Sequence, residues 1–336
     1  MTTWIVSAGD RGRDYADSFF QFGMAFVGGD GQRECMKQVT VGDTILLKRG
    51  LSEFLAAGRV VKRNGAVSGD GDKEWLRDFD GWDLAGWCHV EWHRPERPET
   101  ATGLKMGTIY QTRQSEHLGA AERLLQAPAS TYAGEPRGTK EVDLDTILAF
   151  LIRLGLRISA ADDLTEAIRR IRLLADYYYF SWRWDDIREH ETRTFLVVPL
   201  LLALGWAEQQ LKIEFPVKGV GRVDIACFTG PFLQCQDEDI VVLIETKGFA
   251  SGLDFARGQA ETYAAHFKNC RVILVTNGYC YKLYRRTNDG AFSTKPSAYL
   301  NILKPKDRYP LDPDNVAGAT EVLKWLMPAS FRQSEP

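Results

Sequence analysis

The sequence predicts an α/β protein of two domains, and three observations lead to that fold class. The chain has 336 residues, which is more than one ordinary domain contains, since single domains commonly hold about 100 to 200 residues. With 44% hydrophobic and 26% charged residues, the composition is typical of a folded protein. The hydrophobic pattern also changes along the chain, from short strands at the start to alternating strands and helices at the end.

Residues 1–126 are predicted to form a small β-barrel. Short apolar runs with partial period-two alternation are separated by Gly and Asp turns, which is typical of strands joined by tight connections. A segment rich in Ala and Leu predicts one short helix after the last strand. The predicted strands cover residues 4–9, 22–29, 44–50, 54–63 and 106–112, and the helix covers 115–125.

A linker and a helical connector are predicted between the two domains. Residues 127–141 are rich in Pro, Gly, Ser and Thr, which favours a linker. The connector, residues 142–187, begins with a helix that Asp143 can cap. A second helix follows, capped by Asp162 or Asp163. The arginines beside its apolar face are either solvated or face phosphate, and they are Arg169, Arg170 and Arg172.

Residues 188–336 are predicted to form a mixed-sheet α/β domain. An apolar helix runs from about 188 to 204 and ends at Gly205. The run at 240–244 is apolar on both faces, which predicts a central strand with polar residues only at its carboxyl end. A site at that edge of the sheet follows. The other predicted elements are strands at 211–219, 222–228, 271–278 and 279–286, and a helix at 253–267.

Three charged residues are placed to form a metal site at that edge. Glu245 and Lys247 are two apart on one strand, so their side chains share a face, and Asp224 arrives from the adjoining strand. Mg²⁺ prefers carboxylate oxygens together with water and phosphate oxygens. Such an ion polarises a scissile phosphate and lowers the pKa of a bound water. Lys247 then orients that water, helps to deprotonate it, or stabilises charge.

These residues resemble the PD-(D/E)xK nuclease superfamily, most closely the nuclease domain of type I restriction enzymes. The resemblance covers residues 188–286 in four blocks, HETRTFLVVPLLLALGW, GRVDIACF, VVLIETKG and LVTNGYCYKLY, and Val223 replaces the proline of the family name. It implies a restriction-endonuclease-like fold and Mg²⁺-dependent DNA cleavage, with Mn²⁺ as a substitute. Asp224, Glu245 and the helix residue Glu191 are the implied metal ligands. Gln259 and Tyr263 match a Q-x-x-x-Y element and are implied to contact substrate.

The first domain is similar to the PUA-like group that includes the EVE and YTH domains. The pattern WIVSAG, FGMAFVG and VGDTILLKRGLSEFLAAGRVV carries this similarity. The resemblance implies a modified-base reader that holds one extruded base in a pocket with aromatic and polar walls. The candidate pocket residues lie at the ends of the first strands, on the second strand and after VGD, and they are Ser7, Asp10, Phe22, Phe26 and Lys48.

Together the two resemblances predict a modification-dependent DNA endonuclease for defence against foreign DNA, reading a modified base, with cytosine foremost. One site per chain suggests a homodimer for double-strand cuts. Two alternatives stay open, namely a nuclease of the same fold acting on RNA or structured DNA in repair, and a non-catalytic nucleic-acid-binding module. No P-loop pattern, signal-peptide pattern or membrane-length apolar run occurs, so we expect no nucleotide cofactor, no membrane association and a cytoplasmic location.

Overall fold

The computed structural model describes residues 1–9 and 12–331. Asp10 therefore lies outside the described residues. The chain divides into two compact units, Met1–Arg137 and Gly138–Pro336. Both units combine helices with a mixed sheet, which confirms the predicted α/β class. The division falls inside the segment 127–141 that the sequence predicts as a linker.

The first unit is built on one curled sheet. Its strand order is β2-β6-β4-β3-β1-β8, with β5 paired to β6 and β7 paired to β4. Strands β1 and β3 pair in parallel, and the other pairs among the described residues are antiparallel. Within the described residues no ladder joins β2 to β8, so the sheet is a half-barrel. The strands are β1 (Thr3–Ser7), β2 (Met24–Val27), β3 (Thr44–Arg49), β4 (Glu53–Val60), β5 (Ser68–Asp70), β6 (Gly86–His93), β7 (Glu99–Thr100) and β8 (Ile109–Thr112).

Three helices accompany this sheet, of which the sequence predicts one. They are α1 (Ala16–Phe22), α2 (Asp30–Met36) and α3 (Ser115–Leu124). The predicted strand at 22–29 is wrong at its start, because Phe22 ends α1 and the strand begins at Met24. Gly23 separates them with φ +58, a left-handed conformation that glycine adopts without steric cost and that commonly ends helices.

The second unit begins with two helices, α4 (Leu144–Arg153) and α5 (Ile158–Tyr179). Asp143 accepts a hydrogen bond of 2.7 Å from the Thr146 amide, which confirms the predicted cap. The predicted cap of the second helix at 162 or 163 is wrong, because α5 already begins at Ile158. The helix extends upstream through Ala160 and Ala161, because alanine is the strongest helix former.

One nearly continuous helix carries the apolar segment that follows α5. It consists of α6 (Glu189–Thr192), a π-helical turn (Arg193–Val197) and α7 (Val198–Ala203). Gly205 follows in a left-handed conformation with φ +101, so the predicted end is confirmed. This helix packs against α5, and its buried residues include Leu196 and Leu200.

The sheet of the second unit has the order β14-β13-β12-β11-β10-β9, with β11 and β12 parallel and the other pairs antiparallel. All residues of β11 are buried, which confirms the predicted central strand. Its strands and remaining helices are β9 (Leu211–Val217), β10 (Gly221–Phe228), β11 (Ile240–Thr246), α8 (Ala256–Ala264), β12 (Val272–Thr276), β13 (Cys280–Arg285), β14 (Ala298–Asn301) and α9 (Ala319–Leu326).

None of the described helices has the length and apolarity needed to cross a bilayer.

Candidate active site

The candidate site lies where β10 and β11 diverge. The two strands pair through Ile225 and Ile244, and the ladder stops before Asp224 and Glu245. Asp224 and Glu245 are the next opposed positions after this pair, and they lie at the carboxyl end of β11. The sheet thus brings together the two carboxylates that the sequence predicts as a pair.

Asp224 is held by three hydrogen bonds. Its Oδ2 accepts from the Thr246 amide at 2.6 Å and from the Thr246 hydroxyl at 2.7 Å. Its Oδ1 accepts from the Arg193 guanidinium at 2.8 Å. Because a carboxylate offers about four lone-pair sites, Oδ1 can still accept one further ligand.

Glu245 is the most deeply buried carboxylate of the site, with 2% of its surface exposed. Its Oε1 accepts a hydrogen bond of 2.7 Å from Lys247 Nζ, whereas its Oε2 has no hydrogen-bond partner among the described residues. Burial raises the pKa of this carboxyl to about 7, and the negative charge of Asp224 adds to the rise against the lowering effect of Lys247. A cation beside Oε2 would favour the charged form of this carboxyl.

Lys247 connects the carboxylates to helix α8. Its Nζ donates to Gln259 Oε1 at 3.2 Å, and Gln259 Nε2 donates to Tyr263 Oη at 3.2 Å. Burial alone would lower the pKa of Lys247, but the hydrogen bond to Glu245 and the nearby carboxylates outweigh it and raise the pKa. Lys247 is therefore a cation at neutral pH, and Gln259 and Tyr263 lie in the same hydrogen-bonded chain, as their spacing on one helical face predicts.

The helix carboxylate nearest the site is Glu189, whereas the sequence predicts Glu191. Glu189 Oε1 lies 3.7 Å from Lys247 Nζ, and its charge acts on both Glu245 and Lys247. Glu191 instead accepts a hydrogen bond of 3.0 Å from the Arg188 amide at the start of α6. In this arrangement Glu191 caps the helix, and the structure does not bring it to the other predicted ligands.

The donor set fits a hard divalent cation held by few protein ligands. No cluster of three or more His, Cys, Asp and Glu side chains arranged to hold a metal occurs among the described residues. The orphaned, buried Oε2 of Glu245 and the spare acceptor site of Asp224 are two carboxylate oxygens, the number that Mg²⁺ commonly takes from a protein while water and phosphate complete its shell. The residues present therefore fit magnesium.

Four residues of this site were not predicted from the sequence, namely Glu189, Arg193, Glu214 and Thr246. Thr246 stands between Glu245 and Lys247, so its position was the only available signal. Arg193 contacts Asp224 from 31 residues away along the chain, and Glu214 contacts Arg193 from 21 residues away. No local pattern marks either residue.

The predicted base pocket in the first unit is brought together only in part. Ser7 and Lys48 are cross-strand neighbours at the carboxyl ends of β1 and β3. Lys48 Nζ donates to the carbonyls of Gly50 and Lys105, at 3.2 and 3.0 Å, and Ser7 Oγ donates to the carbonyl of Gly9 at 2.8 Å.

The two aromatic pocket candidates belong to the core rather than to an open wall. Phe26 packs against Phe19 and Phe79, with ring centroids 4.2 and 4.8 Å apart, and Phe22 packs against Trp75 at 4.5 Å. Both side chains are almost fully buried. Aromatic packing within the unit therefore accounts for their positions.

The connector arginines divide between two environments. Arg172 is half-buried and its Nε donates to the carbonyl of Ile302 at 2.7 Å, so it is structural. Arg169 and Arg170 are exposed, which is compatible both with solvated side chains and with side chains that face phosphate.

No family model matches the chain, and a search of curated proteins finds no match either.

Proposed function

We propose that the second unit hydrolyses nucleic-acid phosphodiesters in a magnesium-dependent reaction, with DNA as the substrate. One observation carries this proposal: the buried Glu245 has an oxygen without a partner beside a second carboxylate, Asp224. A buried carboxylate of this kind is costly unless a cation neutralises it. The resemblance of residues 188–286 to the PD-(D/E)xK nucleases supports the same assignment.

Asp224 and Glu245 would hold the ion. When bound there, magnesium supplies charge stabilisation to a phosphate and lowers the pKa of a coordinated water. Thr246 fixes the orientation of Asp224 through two hydrogen bonds, so this ligand is rigid before substrate arrives. The Glu189 carboxylate lies on the same side as Lys247 and adds negative charge to the rim of the site.

Lys247 acts as a fixed cation in this proposal. Its raised pKa keeps it protonated at neutral pH, so it stabilises negative charge on the phosphate and does not serve as the general base. Its contacts with Glu245 and Gln259 define where its ammonium group lies. Gln259 and Tyr263 accordingly orient Lys247, and the exposed side of Gln259 remains available to substrate.

We propose further that the first unit is a PUA-like reader of a modified base, and that it confines cleavage to foreign DNA. The pattern of its first strands and the parallel pairing of β1 with β3, which sets Ser7 beside Lys48, support this role. A homodimer, with one site per chain, accounts for cleavage of both strands. The whole protein would then be a modification-dependent restriction endonuclease.

A substrate panel tests the proposed function. Purified protein is incubated with Mg²⁺, Mn²⁺ or EDTA on DNAs containing unmodified, methylated, hydroxymethylated or glucosylated cytosine, and on an RNA of matched sequence. We expect metal-dependent cutting of at least one modified DNA and none of the RNA. Equal cutting of every substrate would remove the reader role, and cutting of RNA alone would favour a nuclease of RNA. If no substrate is cut with either ion, the nuclease proposal fails.

A further inference from the structure

Arg193 is a buried arginine shared between two carboxylates. Its Nη1 donates to Asp224 Oδ1 at 2.8 Å, and its Nη2 donates to Glu214 Oε1 at 2.9 Å. It begins the π-helical turn that widens the helix between α6 and α7. Such turns are rare and often lie at functional sites. The helix is thus irregular at Arg193, the residue that donates a hydrogen bond to the proposed metal ligand Asp224.

Glu214 reaches this arginine from a strained backbone. The β9–β10 ladder pairs Phe215 with Val223 and Ile213 with Ile225, which sets Glu214 opposite Asp224. Glu214 has φ +51, a left-handed conformation that is unfavourable for a residue with a side chain. Strand β9 therefore departs from regular geometry at Glu214, which shares the Arg193 guanidinium with Asp224.

The charge on Arg193 has a direct consequence for cation binding. A guanidinium stays protonated in proteins, so its positive charge next to Asp224 is permanent. That charge neutralises the carboxylate in the absence of a divalent ion and repels an ion that arrives at the same oxygen. Glu214 draws the guanidinium toward itself and weakens this opposition.

We propose that Arg193 is a positioning residue that acts as an internal counter-ion of Asp224, and that Glu214 sets how strongly it competes with the metal. This inference rests on the proposed function, in which Asp224 binds the ion. With the ion absent, Arg193 bridges Asp224 and Glu214. With the ion bound, Glu214 retains Arg193 and the ion neutralises Asp224. The pair thereby sets the metal concentration at which the site fills.

The test is Mn²⁺ binding to the full chain, measured by calorimetry and by electron paramagnetic resonance. Arg193→Gln keeps an amide donor but removes the charge, so we expect tighter binding, by ~10-fold. Glu214→Gln leaves the guanidinium with Asp224 alone, so we expect binding weaker by ~10-fold. Arg222→Gln is the matched control. Arg222 also approaches Glu214, at 3.6 Å, but lies at the surface, so its removal should change affinity less than ~2-fold.

The double variant separates this mechanism from a simple loss of negative charge. If Glu214 acts through Arg193, Glu214→Gln has no effect on affinity once Arg193 is Gln, and the two effects are not additive. If Glu214→Gln weakens binding equally in both backgrounds, the inference is wrong. A structural defect would weaken Mn²⁺ binding, so tighter binding by Arg193→Gln cannot arise from partial unfolding.

The remaining outcomes are also decisive. Should Arg193→Gln fail to fold by circular dichroism, Arg193→Lys retains the positive charge without the guanidinium fork. In that case Mn²⁺ affinity is compared between Arg193→Lys and the double variant Arg193→Lys, Glu214→Gln. If the two affinities are equal, the inference is wrong. Unchanged or weaker binding by a folded Arg193→Gln overturns it as well. Absence of Mn²⁺ binding by the wild type would refute the proposed metal site itself, whereas the preceding results refute only the role of Arg193.

Discussion

Thr246 donates two hydrogen bonds to one oxygen of Asp224, from its amide at 2.6 Å and from its hydroxyl at 2.7 Å. The Thr246 side chain is fully buried, so water does not replace a lost bond there without rearrangement. This contact locks the carboxylate of β10 onto the end of β11. The orientation of Asp224, the proposed metal ligand, therefore depends on Thr246.

Replacing Thr246 tests this orientation. Thr246→Val removes the hydroxyl and keeps the shape, so we expect kcat/KM to fall by ~10- to 100-fold, the effect typical of partners that orient metal ligands. Thr246→Ser keeps the hydroxyl and should remain within ~3-fold of the wild type. Steady-state cleavage kinetics at several Mg²⁺ concentrations measure both. A Val variant as active as the Ser variant would show that this bond is unimportant.

The contribution of Glu245 to the stability of the metal-free protein should fall as the pH rises from about 4.5 to about 7. Burial raises the pKa of Glu245 from its ordinary 4.5 to about 7, so in that interval this carboxyl holds more of its proton in the folded state than in the unfolded state. The contribution is then lost as the pH increases, by on the order of a few kcal/mol. Burial also lowers the pKa of His89 to about 4, which acts with the opposite sign over much of the same interval, so the wild type is compared with Glu245→Gln. Urea unfolding in EDTA measures how stability changes with pH in both proteins. The slope should be more positive in the variant, and an identical slope would contradict the assignment.

Binding of Mg²⁺ should release a proton near neutral pH. Below about pH 7 the Glu245 carboxyl is partly protonated, and an ion binds only the carboxylate. Calorimetry in buffers of different ionisation enthalpy counts the released protons. We expect close to one proton at pH 6, falling toward zero above pH 8. Release that does not depend on pH would exclude Glu245 as the titrating ligand.

Gln259 should affect turnover more than metal binding. It accepts from Lys247 and donates to Tyr263, so Gln259→Ala leaves the lysine less well oriented. Loss of such a hydrogen bond costs about 1 kcal/mol or somewhat more, and kcat should fall by ~10-fold. Mn²⁺ affinity should remain within ~2-fold. Gln209→Ala, at an exposed position outside the site, is the control and should leave kcat unchanged.

The elements that local patterns encode were predicted well. The apolar run of β11 indicated a central strand, and the Asp143 cap and the stop at Gly205 fixed helix ends. Helix α1 was not predicted, and its last residue, Phe22, was assigned to the following strand, because apolar residues suit a short buried helix as well as a strand. The boundary lies at Gly23, whose left-handed conformation is visible only in the fold.

The meeting of the three candidate site residues was predicted from the sequence, whereas the residues around them were not. Asp224, Glu245 and Lys247 share a motif, so their meeting follows from strand geometry. Arg193 and Glu214 meet only because the helix and β9 converge on Asp224, which depends on tertiary packing. Whether Glu189 or Glu191 approaches the site depends on where the helix begins. Helix ends are the structural feature that a sequence predicts least well.

The most direct test of the nuclease assignment is cleavage of DNA by the wild type and by Glu245→Gln, side by side, at saturating Mg²⁺. The DNA is the substrate cut best in the panel, and Glu208→Gln, at an exposed position outside the site, is the matched control. We predict that the wild type and the control cut equally, and that Glu245→Gln loses ~1,000-fold or more of the rate. Cleavage by Glu245→Gln at the rate of the wild type would contradict the assignment.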